Sequence, residues 1–220
     1  GEKTEAVLTA SKQVRGETLR EGERVKVYVI EVRKGTRGPQ VMISRTHPGL
    51  VKRLFETEVP EIYDGTVEIK AVSREAGSRT KLAVISHNSD VDAVGACIGA
   101  RGARVSSIVN ELGGEKIDIV EYSEDPAKFI ASALSPATVL SVVTAEDGSH
   151  ACRVTVPDSQ LSLAIGNKGQ NARLAAKLTG WKIDIKPESG FYGEEEPVEP
   201  KAAGETPVTA EAEPAETEEE

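Results

Sequence analysis

Ile98-Gly99-Ala100-Arg101-Gly102 and Ile165-Gly166-Asn167-Lys168-Gly169 are two copies of one pattern, and the rest of the chain falls into place around them. Each is a Gly-x-x-Gly turn with a basic residue inside. Apolar residues lead in: Val94 and Ile98 to the first turn, Leu161, Ala164 and Ile165 to the second. Apolar residues at helical spacing lead out: Val105, Ile108, Val109 and Leu112, then Leu174, Ala175 and Leu178. Glycine stops both helices, at Gly113-Gly114 and at Gly180. The same four residues follow, Lys116-Ile117-Asp118-Ile119 and Lys182-Ile183-Asp184-Ile185. The second strand comes one position sooner after its glycines than the first does, so the chain carries an internal repeat with a single-position slip.

The chemistry of the pattern is that of a phosphate clamp. Two glycines allow a tight turn and the close approach of another backbone. The turn opens a helix, whose first N–H groups and positive dipole end favour phosphate oxygens. Arg101 and Lys168 add a mobile positive charge at the tip. Nothing nucleophilic or metal-binding lies in either turn. A lone Gly-x-x-Gly is most simply a helix–turn–helix joint, but two in the same context, each with a basic residue and a following strand, are not. A Gly-x-x-Gly loop clamping four nucleotides marks the KH domain, and both units resemble it.

Patterning around the turns predicts α-β-β-α-α-β twice. In the first unit, 47–124, a helix runs from Gly49 to Glu58 with Leu50, Val51, Leu54 and Phe55 on one face, and Pro60 stops it. Strands at Thr66–Ala71 and Thr80–Ser86 flank a turn at Glu75–Ser78. Ser89 or Asp90 is the expected cap of the helix before the first clamp. In the second unit, 125–190, a helix at Pro126–Leu134 precedes strands at Val139–Val143 and Cys152–Val156. Asp158 or Ser159 is the expected cap there, and a strand at Trp181–Lys186 closes the unit. Trp181 beside Gly180 reads as a core or interface plug rather than a base-stacking residue.

Residues 1–46 are β-like. Glu23–Val32 alternates apolar and polar residues as a half-buried strand does, Gly35–Pro39 is a turn and Gln40–Ser44 a second strand; Ala6–Leu8 is an earlier one. Three strands cannot close a barrel. The stretch resembles the later part of an S1 domain, a five-stranded OB-type barrel. The chain begins at glycine and reads as a fragment, with the first S1 strands expected to precede it. Arg33, Lys34 and Arg37 cluster in the hairpin, where a solvated basic loop is as good a reading as a phosphate contact.

The net charge of −9 does not argue against a nucleic-acid partner, because the acidity is local. Residues 191–220 hold eleven Glu and one Lys, a net of −10, which leaves −9 − (−10) = +1 for everything before them. That tail has too few large apolar residues to offset its ordering entropy and is expected to be disordered. Aromatic residues are 4% of the chain, so stacked aromatic platforms do not dominate recognition. Cys97 and Cys152 sit in apolar runs and read as small buried residues, with no metal-ligand spacing and no disulfide framework. No phosphate-binding Gly-x-x-x-x-Gly-Lys-Ser/Thr run and no nucleophile elbow is present, so neither catalysis nor a cofactor nor a metal is expected. No apolar run is long enough to span a bilayer, and a cytoplasmic location without membrane contact is expected.

A partial S1 barrel, residues 1–46, followed by two type II KH domains, 47–124 and 125–190, and a tail, 191–220, is an α+β chain. In that order it resembles the NusA family of bacterial transcription elongation, termination and antitermination factors. The resemblance rests on Arg45-Thr46-His47-Pro48, on Glu58-Val59-Pro60-Glu61-Ile62, and on the two clamp segments Val94–Val105 and Ala164–Leu174. It implies single-stranded RNA, the nascent transcript, laid along both loops. Gly99, Ala100, Arg101 and Gly102, then Gly166, Asn167, Lys168 and Gly169, would form the turns. Arg104, Gln170, Asn171 and Arg173 would open the following helices and reach phosphates or base edges. RNA polymerase is the implied protein partner, other antitermination factors are further candidates, and a monomer is expected. The family's N-terminal polymerase-binding domain has no counterpart in this sequence. The rival reading is an S1/KH module of an RNA-degradation or ribosome-associated protein. Domain order disfavours it, since the phosphorolytic exonucleases place one KH before S1 and the ribosomal protein has one KH and no S1.

Overall fold

The computed structural model describes residues 5–36 and 38–190. The expected disordered tail and Arg37 of the basic hairpin lie outside the described residues. Three three-stranded sheets follow one another along the chain.

The first is open. Strands β1 (Ala6–Val7), β2 (Tyr28–Gly35) and β3 (Gly38–Ser44) lie in the order β1-β3-β2, with β1 parallel and β2 antiparallel to β3. Alternation places a strand at Glu23–Val32, but β2 starts at Tyr28 and runs on to Gly35. The reason is pairing. Tyr28 faces Ser44, the last residue of β3, so residues 23–27 have no ladder partner. The N–H of Lys26 donates instead to Glu111 Oε1 in the next unit, at 2.9 Å.

Helix α1 (Pro48–Glu58) opens the first KH unit. His47 caps it, Nδ1 accepting from the Gly49 N–H, with proline at the first turn. Pro60 does more than stop α1. It forces Val59 into an extended conformation (φ −110°, ψ 104°) and opens a short helix α2 (Pro60–Tyr63). Then come β4 (Val67–Glu75), β5 (Arg79–Ser86), α3 (Ala93–Ile98), α4 (Ala103–Glu111) and β6 (Lys116–Glu121), with β5 antiparallel to β4 and parallel to β6. The second unit repeats this with α5 (Pro126–Ala133), β7 (Ser141–Thr144), β8 (Ala151–Val156), α6 (Leu161–Ile165), α7 (Gln170–Thr179) and β9 (Lys182–Pro187). Apart from α2, both have the expected α-β-β-α-α-β order. The caps differ from expectation. Asp92 caps α3 by accepting from the Val94 N–H, and Asp158 accepts from the Ser189 N–H instead of capping α6.

The two units share a core. Along β5 side chains alternate between faces. Leu82 and Val84 point into the first unit's own core, beside Phe55 and Cys97. Ala83 between them, with Val120 of β6, joins the second unit's core of Phe129, Ile130, Ala133, Ala164 and Ala175. Lys81, fully buried, donates to the Ser135 carbonyl at 2.6 Å and to Asp118 Oδ2 at 3.1 Å. The first unit's sheet is thus covered on one face by its own helices and on the other by α5 and α7. Trp181 packs against this second core, its ring 5.0 Å from that of His150. Cys97 and Cys152 are buried and unbridged, and burial pushes the Cys97 thiol up to about 12.

Arg45 fastens the open sheet to the first KH unit. It is 2% exposed and donates to the Glu17 carboxylate, the Lys26 carbonyl (2.7 Å) and the Glu111 carbonyl (2.9 Å). Beside it the Tyr28 and His47 rings stack at 4.4 Å.

Candidate nucleic-acid interface

The two Gly-x-x-Gly turns have nearly the same backbone. Gly99 and Gly166 lie at φ, ψ of 75°, 173° and 79°, 171°. Arg101 and Lys168 are left-handed, at 53°, 27° and 52°, 31°. Gly102 and Gly169 are left-handed at 75°, 15° and 72°, 16°. One hydrogen bond closes each turn, from Gly102 N to Gly99 O (3.0 Å) and from Gly169 N to Gly166 O (3.1 Å).

Both first glycines are required twice over. Their φ and ψ belong to a region that essentially only glycine adopts. A Cβ on Gly166 would also lie 2.8 Å from the Asn171 backbone nitrogen, and one on Gly99 would lie 2.6 Å from Arg104 Cγ.

The turns deliver α4 and α7 with glycine as N-cap. Gly102 and Gly169 have no side-chain oxygen to cap the first-turn N–H groups; the first of these, of Ala103 and Gln170, donates within the turn to the Ala100 and Asn167 carbonyls, and a ligand would meet the ones after it. Ala100, Arg101, Asn167 and Lys168 are exposed at the tips. A phosphate here would meet backbone donors, the helix dipole and one flexible cation. Among the described residues, Arg104 and Arg173 beside the turns form ion pairs, while the tip cations Arg101 and Lys168 form none, so neither tip charge is committed to the fold.

The four residues expected to open the helices and reach RNA are placed differently. Asn171 is fully buried; its Nδ2 donates to the carbonyls of Leu134 (3.0 Å) and Ala164 (2.9 Å), so it is a structural residue. Arg104 is half-buried, and its Nη1 donates to the Ala96 carbonyl (2.7 Å) and Glu61 Oε2 (2.8 Å). Gln170 and Arg173 turn toward the first unit. Gln170 donates to Glu75 Oε2 (2.8 Å) and Ser78 Oγ (2.7 Å), Arg173 to Glu75 Oε1 (2.6 Å) and the Lys168 carbonyl (3.1 Å). The Arg173 guanidinium, then Gln170, hold the Glu75 carboxyl below its ordinary range.

Two apolar residues that the sequence marks only as lead-ins to the turns stand beside the clamps. Ile98 and Ile165 each precede the first glycine, and each is more than a third exposed, although apolar lead-in residues are expected inside. The signal was present: isoleucine stands at the same repeat position twice. Each offers a wet apolar surface beside the clamp, where a base could lie. Among the described residues, no group of three or more His, Cys, Asp or Glu is placed to hold a metal ion, and no helix is long and apolar enough to cross a membrane.

Comparison with known proteins agrees with this geometry. Residues 45–122 match the NusA-like first KH domain and residues 126–192 the NusA-like second KH domain. The transcription termination/antitermination protein NusA of Halalkalibacterium halodurans is 63% identical over 187 residues, covering 85% of this chain and 49% of that protein. The protein of the same name from Bacillus subtilis is 56% identical over 215 residues, covering 96% and 58%. That of Thermus thermophilus is 50% identical over 182 residues, covering 83% and 47%. The chain spans about half the length of these curated relatives.

Proposed function

This chain belongs to the NusA family, and on that footing we propose that it is the RNA-binding portion of a transcription termination/antitermination factor, clamping single-stranded nascent RNA in two Gly-x-x-Gly turns. The observation that carries this reading is the repeated turn: two backbones matching within a few degrees, each putting an exposed cation at the start of a helix that has glycine as its N-cap. Gly99, Ala100, Arg101 and Gly102 form the first binding turn, and Gly166, Asn167, Lys168 and Gly169 the second. The phosphates dock on the first-turn N–H groups of α4 and α7, and bases rest against Ile98 and Ile165. Recognition by backbone donors and short contacts suits a factor that must accept varied transcripts.

The apolar core that the two units share fixes one unit against the other, which supports a single strand engaging both turns. We take residues 1–46 as the later part of an S1 domain, 47–124 and 125–190 as the KH domains, and RNA polymerase as the protein partner of the whole factor. The chemistry is binding rather than catalysis, in the bacterial cytoplasm, by a monomer. An RNA-degradation or ribosomal module is not favoured, because both KH units match NusA-like models in tandem.

The test is a titration of a labelled, unstructured A/C-rich RNA of about a dozen nucleotides, long enough for two four-nucleotide clamps. It compares this chain with the Ala100→Asp, Arg101→Asp, Asn167→Asp, Lys168→Asp variant, with circular dichroism showing both folded. Salt-dependent binding by the first and loss in the second is the expected result. Equal binding by both would move the site elsewhere.

A further inference from the structure

The two clamps differ in which side chains follow their glycines. Where the first unit has Ala103 and Ser106, the second has Gln170 and Arg173 at the equivalent positions after its glycines. Both longer side chains reach across to the β4–β5 hairpin of the first unit and divide the Glu75 carboxylate between them, one oxygen each, at 2.8 and 2.6 Å. Ser78, at the other end of the same hairpin turn, takes a second hydrogen bond from Gln170. Arg173 also donates to the carbonyl of Lys168, the left-handed tip residue of the second turn. A continuous chain of contacts therefore runs from the first unit's hairpin to the tip of the second clamp.

Resting on the RNA-clamp reading above, we propose that Glu75 is a positioning residue for the second clamp, latching Arg173 and Gln170 so that the Lys168 tip is held in its RNA-ready conformation and in fixed register with the first clamp. Glu75 does this without touching RNA. It has a partner on each oxygen and stands on the hairpin, in the other domain from the turn it supports. The direction of the effect separates this role from simple electrostatics. An acid beside an RNA path repels phosphate, so its removal should by itself tighten binding at low salt. A latch predicts the opposite. The shared apolar core of Ala83, Val120, Phe129 and Ile130 is untouched by the change, so the variant is expected to fold.

The experiment uses the full chain and its Glu75→Ala and Glu75→Gln variants. Without RNA, hydrogen exchange at residues 167–173 should quicken in Glu75→Ala while residues 99–105 stay unchanged. Binding of the dozen-nucleotide A/C-rich RNA should weaken about three- to tenfold, as the second clamp must order its tip before it can bind. Glu75→Gln, which keeps an acceptor oxygen for Arg173, should lie between. The same change made in the Asn167→Asp, Lys168→Asp background should have no effect on binding, and in the Ala100→Asp, Arg101→Asp background it should retain its effect. Unchanged exchange at 167–173, or RNA binding that is equal or tighter in Glu75→Ala, would overturn the latch. If the unaltered chain fails to bind RNA, the clamp reading falls instead, and hydrogen exchange still decides whether Glu75 holds the turn.

Discussion

Arg104 and Asn171 occupy the same position of the two repeats, and each spends its side chain on a last-turn carbonyl of the helix before the clamp. Arg104 donates to Ala96 O at 2.7 Å and Asn171 to Ala164 O at 2.9 Å. A helix that ends at a sharp glycine turn leaves such carbonyls without intrahelical partners. One repeat solves this with a half-exposed arginine tied to Glu61, the other with a buried amide.

Asn171→Ala should therefore destabilise the second unit without removing an RNA contact. Two buried acceptors lose their donor, at about 1–3 kcal/mol together. The Asn171 Oδ1 has no partner, so its loss offsets part of that cost. Thermal melting should show the drop, while RNA affinity measured well below the melting point stays close to that of the parent.

Gly166→Ala should abolish the second clamp. The alanine Cβ would meet backbone as well as side chain of Asn171, which cannot swing away, and φ of 79° adds strain of about 1–3 kcal/mol. Gly99→Ala meets Arg104 from Cβ to Cδ but no backbone, and suffers the same backbone strain, so it should cost less stability. Melting temperatures of the two variants, compared in one buffer, check the order.

The Glu115 carboxylate, 1% exposed, is bound by Arg74 (2.8 and 2.9 Å), Thr80 Oγ (2.6 Å) and the Gly77 N–H (3.0 Å). Burial by itself would raise its pKa; Arg74, Thr80 and Gly77 overcome this and hold it below the ordinary 4.5. A carboxyl lowered in the folded state contributes stability that is fully present above 4.5 and is lost as pH falls through the folded value. Glu115→Gln should remove that component and leave Arg74 buried without a counter-charge. The cost expected at neutral pH is about 3–5 kcal/mol. Denaturant midpoints at pH 7 and below pH 4.5 should differ less for the variant than for the parent; an equal difference would contradict the assignment.

Residues 191–220 carry a net −10 next to a body of net +1, and a tail of that charge is expected to compete with RNA for Arg101 and Lys168. Deleting it should tighten RNA binding more at low salt than at high salt, since screening removes the competition. Equal affinity with and without the tail at low salt would contradict this.

Much of the protein was legible in its residues. The repeat, the α-β-β-α-α-β order and the two turns follow from features that recur at fixed spacing, because helix period, strand alternation and glycine punctuation are local properties. The same locality explains the errors. Glu23–Val32 has the alternation of a strand, yet its first half has no neighbour to pair with. Arg104, Gln170, Asn171 and Arg173 look alike as polar residues opening a helix after a clamp. Their partners separate them: one is buried, one is tied to Glu61, and two bind Glu75, a residue of the other unit. Those partners meet because the outer face of the first unit's sheet packs on α5 and α7, and no period along the chain encodes that packing. Residue order alone established two glycine turns with the chemistry of phosphate clamps. The packing of one unit on the other decided which of the neighbouring side chains already have partners inside the fold: both N–H bonds of the Asn171 amide are spent on buried carbonyls, whereas Arg104 and Arg173 keep guanidinium donors beyond those they use, because each arginine carries five.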